Sequence, residues 1–147
     1  PVGDDWILAD ETTSARLVAA SGVERAATTA AGGALGDLHG YVHVSLMGQA
    51  RQEAFYPRLA ALGQATALRC SCHEYRLLAQ GAVDFVLSDR LNPWDHAAGV
   101  LICQRAGGVA RMLDGRDYAT SLGEGLLLCA GSETTWTALR DHFADLA

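Results

Sequence analysis

From Tyr41 onward, the apolar positions alternate between two rhythms. Val42, Val44 and Leu46 alternate with polar or small neighbours, the period-two pattern of a half-buried strand closed by Gly48. Gln49 to Leu62 follows as a helix with Phe55, Leu59 and Leu62 on one side, and Pro57 marks a boundary or kink in it. Ala65 to Cys70 predicts a strand. Ser71 is placed to cap a helix over Cys72 to Gln80, which Gly81 ends. Val83 to Leu87 predicts a further strand, and Asn92 to Ala106 is the strongest helical segment. Its Trp94, Ala97, Ala98, Leu101 and Ile102 recur at helical spacing, which predicts the buried face. Val109 to Leu113 predicts a strand ending in the turn Asp114-Gly115, and Leu126 to Ala130 a buried strand by its unbroken apolar run. Ser132 opens a last helix whose Trp136, Leu139, Phe143 and Leu146 make one stripe.

Upstream the signal is weaker. Trp6 to Ala9 and Ala15 to Ala19 predict a hairpin around the polar turn Asp10 to Ser14. Ser21 to Gly40, rich in Ala, Gly and Thr, predicts a loop. The alternation of strands and helices after residue 40 implies an α/β fold, a layered sheet, parallel or mixed, flanked by helices. Residues 41–147 are expected to form one α/β domain. Residues 1–40 are expected to be a hairpin and loop belonging to the end of another domain.

Composition sharpens this picture. The chain has 147 residues, 17 acidic against 11 basic, and a net charge of −6. That balance argues against nucleic acid as a partner. It leaves phosphate substrates open, because bound divalent metals supply positive charge. Every basic residue is Arg, so no Schiff-base or phosphate-loop lysine exists. Cys103 and Cys129 sit in apolar runs, and Cys70 and Cys72 lack a usual zinc spacing. These cysteines predict a reduced, cytoplasmic protein. No apolar stretch reaches the length of a membrane span. The five histidines show no metal-ligand spacing, and His96 is expected at the surface or in packing. Gly32-Gly33 and Gly123-Glu124-Gly125 are expected to be turns.

Candidate chemistry concentrates in Asn92 to Gly108. Asn92 suits the N-cap and Pro93 the first helical position, where its missing N–H costs nothing. Asp95 then falls in the first turn, favoured by the helix dipole. Two readings stand side by side. Asn92 and Asp95 form a capping arrangement and nothing more, or Asp95 projects into a cleft as a hard-oxygen ligand for a divalent cation. In the second reading the helix N-terminus would also attract phosphate.

Trp94-Asp95-His96-Ala97-Ala98-Gly99, followed by Ala106-Gly107-Gly108, resembles the second signature of the inositol monophosphatase family. The flanks Leu78-Ala79-Gln80-Gly81, Val83-Asp84-Phe85 and Leu126 to Ser132 are similar to that family's neighbouring segments. Gly3-Asp4-Asp5-Trp6-Ile7 looks like the hairpin ending the family's first domain. The resemblance covers nearly the whole chain and is weakest at Ser21 to Gly40. It implies the carboxyl-terminal half of the family's layered αβαβα fold. It implies that Asp95 helps to bind a catalytic Mg2+, and that Arg69, Cys70, Ser71 and Ser88 contact a small phosphorylated substrate. Ser88 stands where animal inositol monophosphatases carry a carboxylate, and it cannot ion-pair in the same way. Arg69 stands at a family glycine; it either reaches a phosphate bidentately or is a solvated strand-end residue.

The family's other metal ligands come from an Asp-Pro-Ile/Leu-Asp-Gly-Thr motif and an earlier Glu. This chain has no Asp-Pro dipeptide, and its one Asp-Gly, at Asp114, follows the signature. The expectation is a piece whose N-terminal domain is missing, through proteolysis or truncation, and which is inactive alone. No residue is assigned a catalytic role. Two functions follow: part of a Mg-dependent phosphomonoesterase of inositol or related sugar phosphates, with a homodimer expected, or a non-catalytic module that self-associates or binds a partner.

Overall fold

A computed structural model describes residues 3–147. Its centre is a five-stranded mixed sheet. β4 (His39–Val42), β5 (Gln64–Thr66), β6 (Phe85–Arg90), β7 (Val109–Met112) and β8 (Glu124–Ala130) lie in the order β5-β4-β6-β8-β7. β5, β4 and β6 run parallel, whereas β8 is antiparallel to both β6 and β7. The expected α/β class, a mixed sheet flanked by helices, is what the chain forms.

Strand alternation sends successive side chains to two separate cores. On one face Phe85, Leu87, Leu128 and Ala130 pack with Phe55 of α1 (Gln49–Leu59) and Trp136, Leu139 and Phe143 of α4 (Glu133–His142). On the other, Val86, Leu127 and Cys129 pack with Tyr75 and Leu78 of α2 (Ser71–Ala79) and Val100 and Cys103 of α3 (Pro93–Arg105). Of the stripe expected on the last helix, Trp136, Leu139 and Phe143 are buried, whereas Leu146 is half-buried in a 3-10 turn after the helix; Ser132 caps the helix by accepting from Thr135 N at 3.2 Å.

The N-terminal part differs from expectation in one element. β1 (Trp6–Leu8) and β2 (Arg16–Val18) form the expected hairpin, but β3 (Glu24–Ala26) joins them as a third antiparallel strand inside the segment expected to be a loop. β3 is exposed and carries no apolar alternation. Backbone pairing and the Arg16–Glu24 ion pair at 3.1 Å hold it, so no hydrophobic signal announces it. In the turn before β2, Asp10 accepts from the backbone N–H groups of Thr12 and Thr13 at 2.7 and 2.9 Å. Ala15, Leu17 and Ala27 bury themselves against Ala79 and Ala106, at the ends of α2 and α3. Thr29 ties the following segment down through its Oγ1, which donates to the carbonyl of Gly131 at 2.7 Å.

Further boundaries moved: α1 ends at Leu59 rather than Leu62, and β6 spans Phe85–Arg90 rather than Val83–Leu87. The chain after Val42 turns into a 3-10 segment, Val44–Leu46, instead of continuing as a strand. β5 stops at Thr66, four residues before the expected end. Ser71 is the first residue of α2, and Cys70 takes the cap position without a side-chain bond.

The larger correction concerns α3. Its buried residues are His96, Gly99, Val100 and Cys103, not the stripe beginning at Trp94, which is 81% exposed. The phase is set by Tyr75 of α2. A Cβ at Gly99 would lie 2.1 Å from the Tyr75 ring, so only glycine lets the two helices close there. His96, buried to 4% exposure, joins the same contact by a hydrogen bond between its Nδ1 and the Tyr75 hydroxyl at 2.9 Å.

Candidate active site

β5, β4 and β6 release their chains at one edge of the sheet, because they run parallel. In open α/β sheets that carboxyl edge is where ligands bind. His43 and Leu46 follow β4, Arg69 and Ser71 follow β5, and Arg90, Asn92, Asp95 and His96 close β6 and open α3. These side chains line a single open cleft of about 250 Å³.

Asp95 is exposed in the first turn of α3. Its Oδ2 accepts from Asn92 Nδ2 at 3.1 Å, and its Oδ1 takes no hydrogen bond among the described residues. Asn92 occupies the N-cap position but caps no backbone N–H with its side chain. The Asn92 side chain therefore bonds Asp95 and not a backbone N–H of the first turn. Asp95 lines the cleft beside a positively polarised helix end that carries no side-chain cap.

The loop after β5 is held from beneath. Glu74 of α2 is fully buried, and its Oε1 accepts from Leu68 N at 2.9 Å and from His43 Nε2 at 2.7 Å. Its Oε2 is buried without a hydrogen-bond partner among the described residues. One carboxylate thus pins the β5–α2 loop and orients an imidazole that lines the cleft. Arg69, the next residue in the loop, has φ of 57°. That left-handed region costs an L-residue on the order of 1–2 kcal/mol, and glycine avoids the cost.

On the opposite wall, His96 Nε2 bonds the carbonyl oxygen of Arg90 at 2.6 Å. Burial pulls the His96 pKa below its ordinary value, against the opposing pull of the Arg90 carbonyl and Asp95. Arg90 donates to the carbonyl of Leu46 at 3.2 Å, which bridges the β4 and β6 loops. Burial raises the Tyr41 hydroxyl pKa, with the nearby Glu74 carboxylate adding to it.

Of the residues expected at the site, the fold brings Arg69, Ser71 and Asp95 into one cleft. Cys70 is exposed at the cap of α2 but does not line it. Ser88 is 2% exposed inside β6, its hydroxyl has no partner among the described residues, and it does not line the cleft either. Sequence reasoning missed His43, Glu74 and Arg90 and set His96 apart from the chemistry. A usable signal existed for two of them: His43 and Arg90 each stand where an apolar strand ends, the place a parallel sheet presents to ligand.

No three His, Cys, Asp or Glu side chains converge as a metal site among the described residues. The described residues do not fit a complete magnesium site, since Asp95 is the one carboxylate among them that lines the cleft. No described helix is long and apolar enough to cross a membrane.

The family model described as inositol monophosphatase family matches residues 23–144. Among solved structures, an inositol monophosphatase from Zymomonas mobilis is 19% identical with a TM-score of 0.73, over 88% of this chain and 53% of that one. The extragenic suppressor protein SuhB of Bartonella henselae is 21% identical with a TM-score of 0.77, over 95% and 52%. SuhB of Mycobacterium tuberculosis is 17% identical with a TM-score of 0.75, over 97% and 55%. These likenesses carry the fold, and the chain spans about half the length of the structures it matches. No curated protein matches it.

Proposed function

The chain belongs to the inositol monophosphatase family, and we propose that it supplies one half of a magnesium-dependent phosphomonoesterase for inositol phosphate or a related small sugar or polyol phosphate. The observation that carries this reading is Asp95, with one carboxylate oxygen free, in a cleft shared with Ser71 and Arg69 at the carboxyl edge of three parallel strands. In this reading Asp95 is one ligand of a metal site whose remaining ligands come from an N-terminal domain of the same protein. Ser71 and the α3 N-terminus hold the scissile phosphate, and Arg69 contacts the rest of the substrate. Cys70 and Ser88, expected to contact substrate, lie outside the cleft lining and are assigned no contact with the ester.

Magnesium, when bound, would activate water and stabilise the displacement at phosphorus. What this chain's residues do is positional. Glu74 and His43 fix the loop that holds Arg69, and Asn92 orients Asp95. With a single carboxylate, residues 3–147 are proposed to be inactive alone. Residues 41–147 are assigned to the carboxyl-terminal domain, with β4 starting two residues earlier at His39. Residues 1–40 are assigned to the end of the preceding domain; Pro1 and Val2 lie outside the described part. The four cysteines are free, which supports a reducing, cytoplasmic setting.

The test is phosphate release by the full-length gene product with magnesium. Asp95→Asn is expected to lower kcat by roughly a hundredfold or more, the scale of losing an electrostatic partner of the transition state. An unchanged rate would show that Asp95 is not a metal ligand. A second reading, a non-catalytic self-associating module, rests on exposed Trp94, Trp6 and Leu8, at 81%, 49% and 41%. A full-length protein that forms a stable homodimer by light scattering, yet releases no phosphate from any ester tried, would favour it.

A further inference from the structure

The chain is acidic, yet the cleft is not. Seven of its arginines pair with carboxylates: Arg16, Arg51, Arg58, Arg76, Arg111, Arg116 and Arg140. Arg69 and Arg90 have no carboxylate partner among the described residues, and both line the cleft. Arg25 and Arg105 also lack a carboxylate partner, but they bond Gln80 and the Glu11 carbonyl and lie outside the cleft, which leaves Arg69 and Arg90 as the cleft's own cations. Free guanidiniums in a shared concavity match the planar, multi-donor recognition of phosphate or carboxylate.

The two are also positioned. Arg90 is tethered by its bond to the Leu46 carbonyl, which leaves its other N–H groups free. Arg69 holds a left-handed backbone conformation, φ 57°, directly after Leu68, whose N–H is anchored on buried Glu74. A strained residue kept in place by a buried anchor is the usual mark of a position held for function.

We propose that Arg69 and Arg90 form a second anion subsite that makes this cleft select phosphate esters with a second negative group over neutral polyol monophosphates. The inference rests on the cleft being the substrate site of the phosphatase reading. In it the scissile phosphate lies toward Asp95 and the α3 N-terminus. The second phosphate or carboxylate lies between the two guanidiniums. Arg69 therefore serves the far end of the substrate.

A matched pair of ligands tests this: glucose 1,6-bisphosphate and glucose 1-phosphate, which differ by one phosphate. Binding to the full-length protein with magnesium is measured by calorimetry, and kcat/KM on both where turnover occurs. A charged hydrogen-bonded contact of the usual strength predicts roughly tenfold tighter binding of the bisphosphate. Arg69→Gln with Arg90→Gln is expected to bring the ratio of the two dissociation constants to about one, and Arg90→Lys to keep part of it. Arg69→Gly separates support of the fold from recognition. It relieves the backbone, so the melting temperature holds or rises, while the ratio falls. A wild-type ratio at or below one, or a double variant that keeps the wild-type ratio, overturns the subsite. A ratio that stands without hydrolysis of either ester leaves the subsite and sinks the phosphatase reading. Hydrolysis with a ratio near one does the reverse.

Discussion

The two sides of α3 come from one stretch of sequence and serve opposite ends. His96, Gly99, Val100 and Cys103 face α2 and are buried, with the Tyr75 ring against Gly99 and the Tyr75 hydroxyl on His96. A few residues away, Trp94 and Asp95 stand in solvent. The inner side is saturated: its polar groups have partners and its glycine has no room for a methyl. The outer side has a free carboxylate oxygen and a large uncovered indole. A helix packed this tightly on one side fixes the direction of whatever its other side carries, which is how packing at Gly99 positions Asp95.

Gly99→Ala should show the largest effect on this contrast. Its Cβ would fall 2.1 Å from Tyr75, so the helices must part, at a cost of about 1–3 kcal/mol or more in urea unfolding. Unchanged stability would mean that the α2–α3 contact does not set the helix phase. Tyr75→Phe keeps the ring and removes the hydroxyl that meets His96 Nδ1, and a loss of about 1 kcal/mol is expected in the same assay.

Acid should sharpen the inner side further. Because burial lowers the His96 pKa, the folded state favours the neutral ring. Its contribution is complete above the ordinary histidine value of about 6.5 and declines as pH falls through the window beneath it. Asp95 and Glu74 oppose the shift, and His43 adds to it. The wild-type melting temperature should therefore drop more steeply between neutral and mildly acidic pH than that of His96→Gln; parallel curves would contradict the assignment. The smallest effect is expected outside: Trp94→Ala should change stability by less than about 0.5 kcal/mol, as exposed substitutions do. A larger loss measured in the isolated chain would mean that Trp94 is covered.

Much of the scaffold was legible because local chemistry decides it. Asn92-Pro93 starts α3 and Gly107, with φ 99°, ends it, as residue-level preferences require. The α4 stripe was legible because Trp136, Leu139 and Phe143 are all apolar and all buried. The α3 stripe was not, because its buried members include a histidine and a glycine, while its largest apolar residue is exposed. Hydrophobicity alone gave the wrong phase there. β3 escaped notice because backbone pairing, not side-chain burial, holds it.

The site divides in the same way. Residue order alone determined the helix that carries Asp95, the strand rhythm of an α/β layer and the family to which the signature belongs, since each depends on neighbours within a few positions. Only the tertiary structure decided that His43, Arg69, Arg90 and Asp95 share a cleft, that Glu74 anchors two of its walls, and that Ser88 is buried away from it. Those facts follow from three strands that run parallel, and pairing between residues more than forty positions apart leaves no periodic trace in the chain.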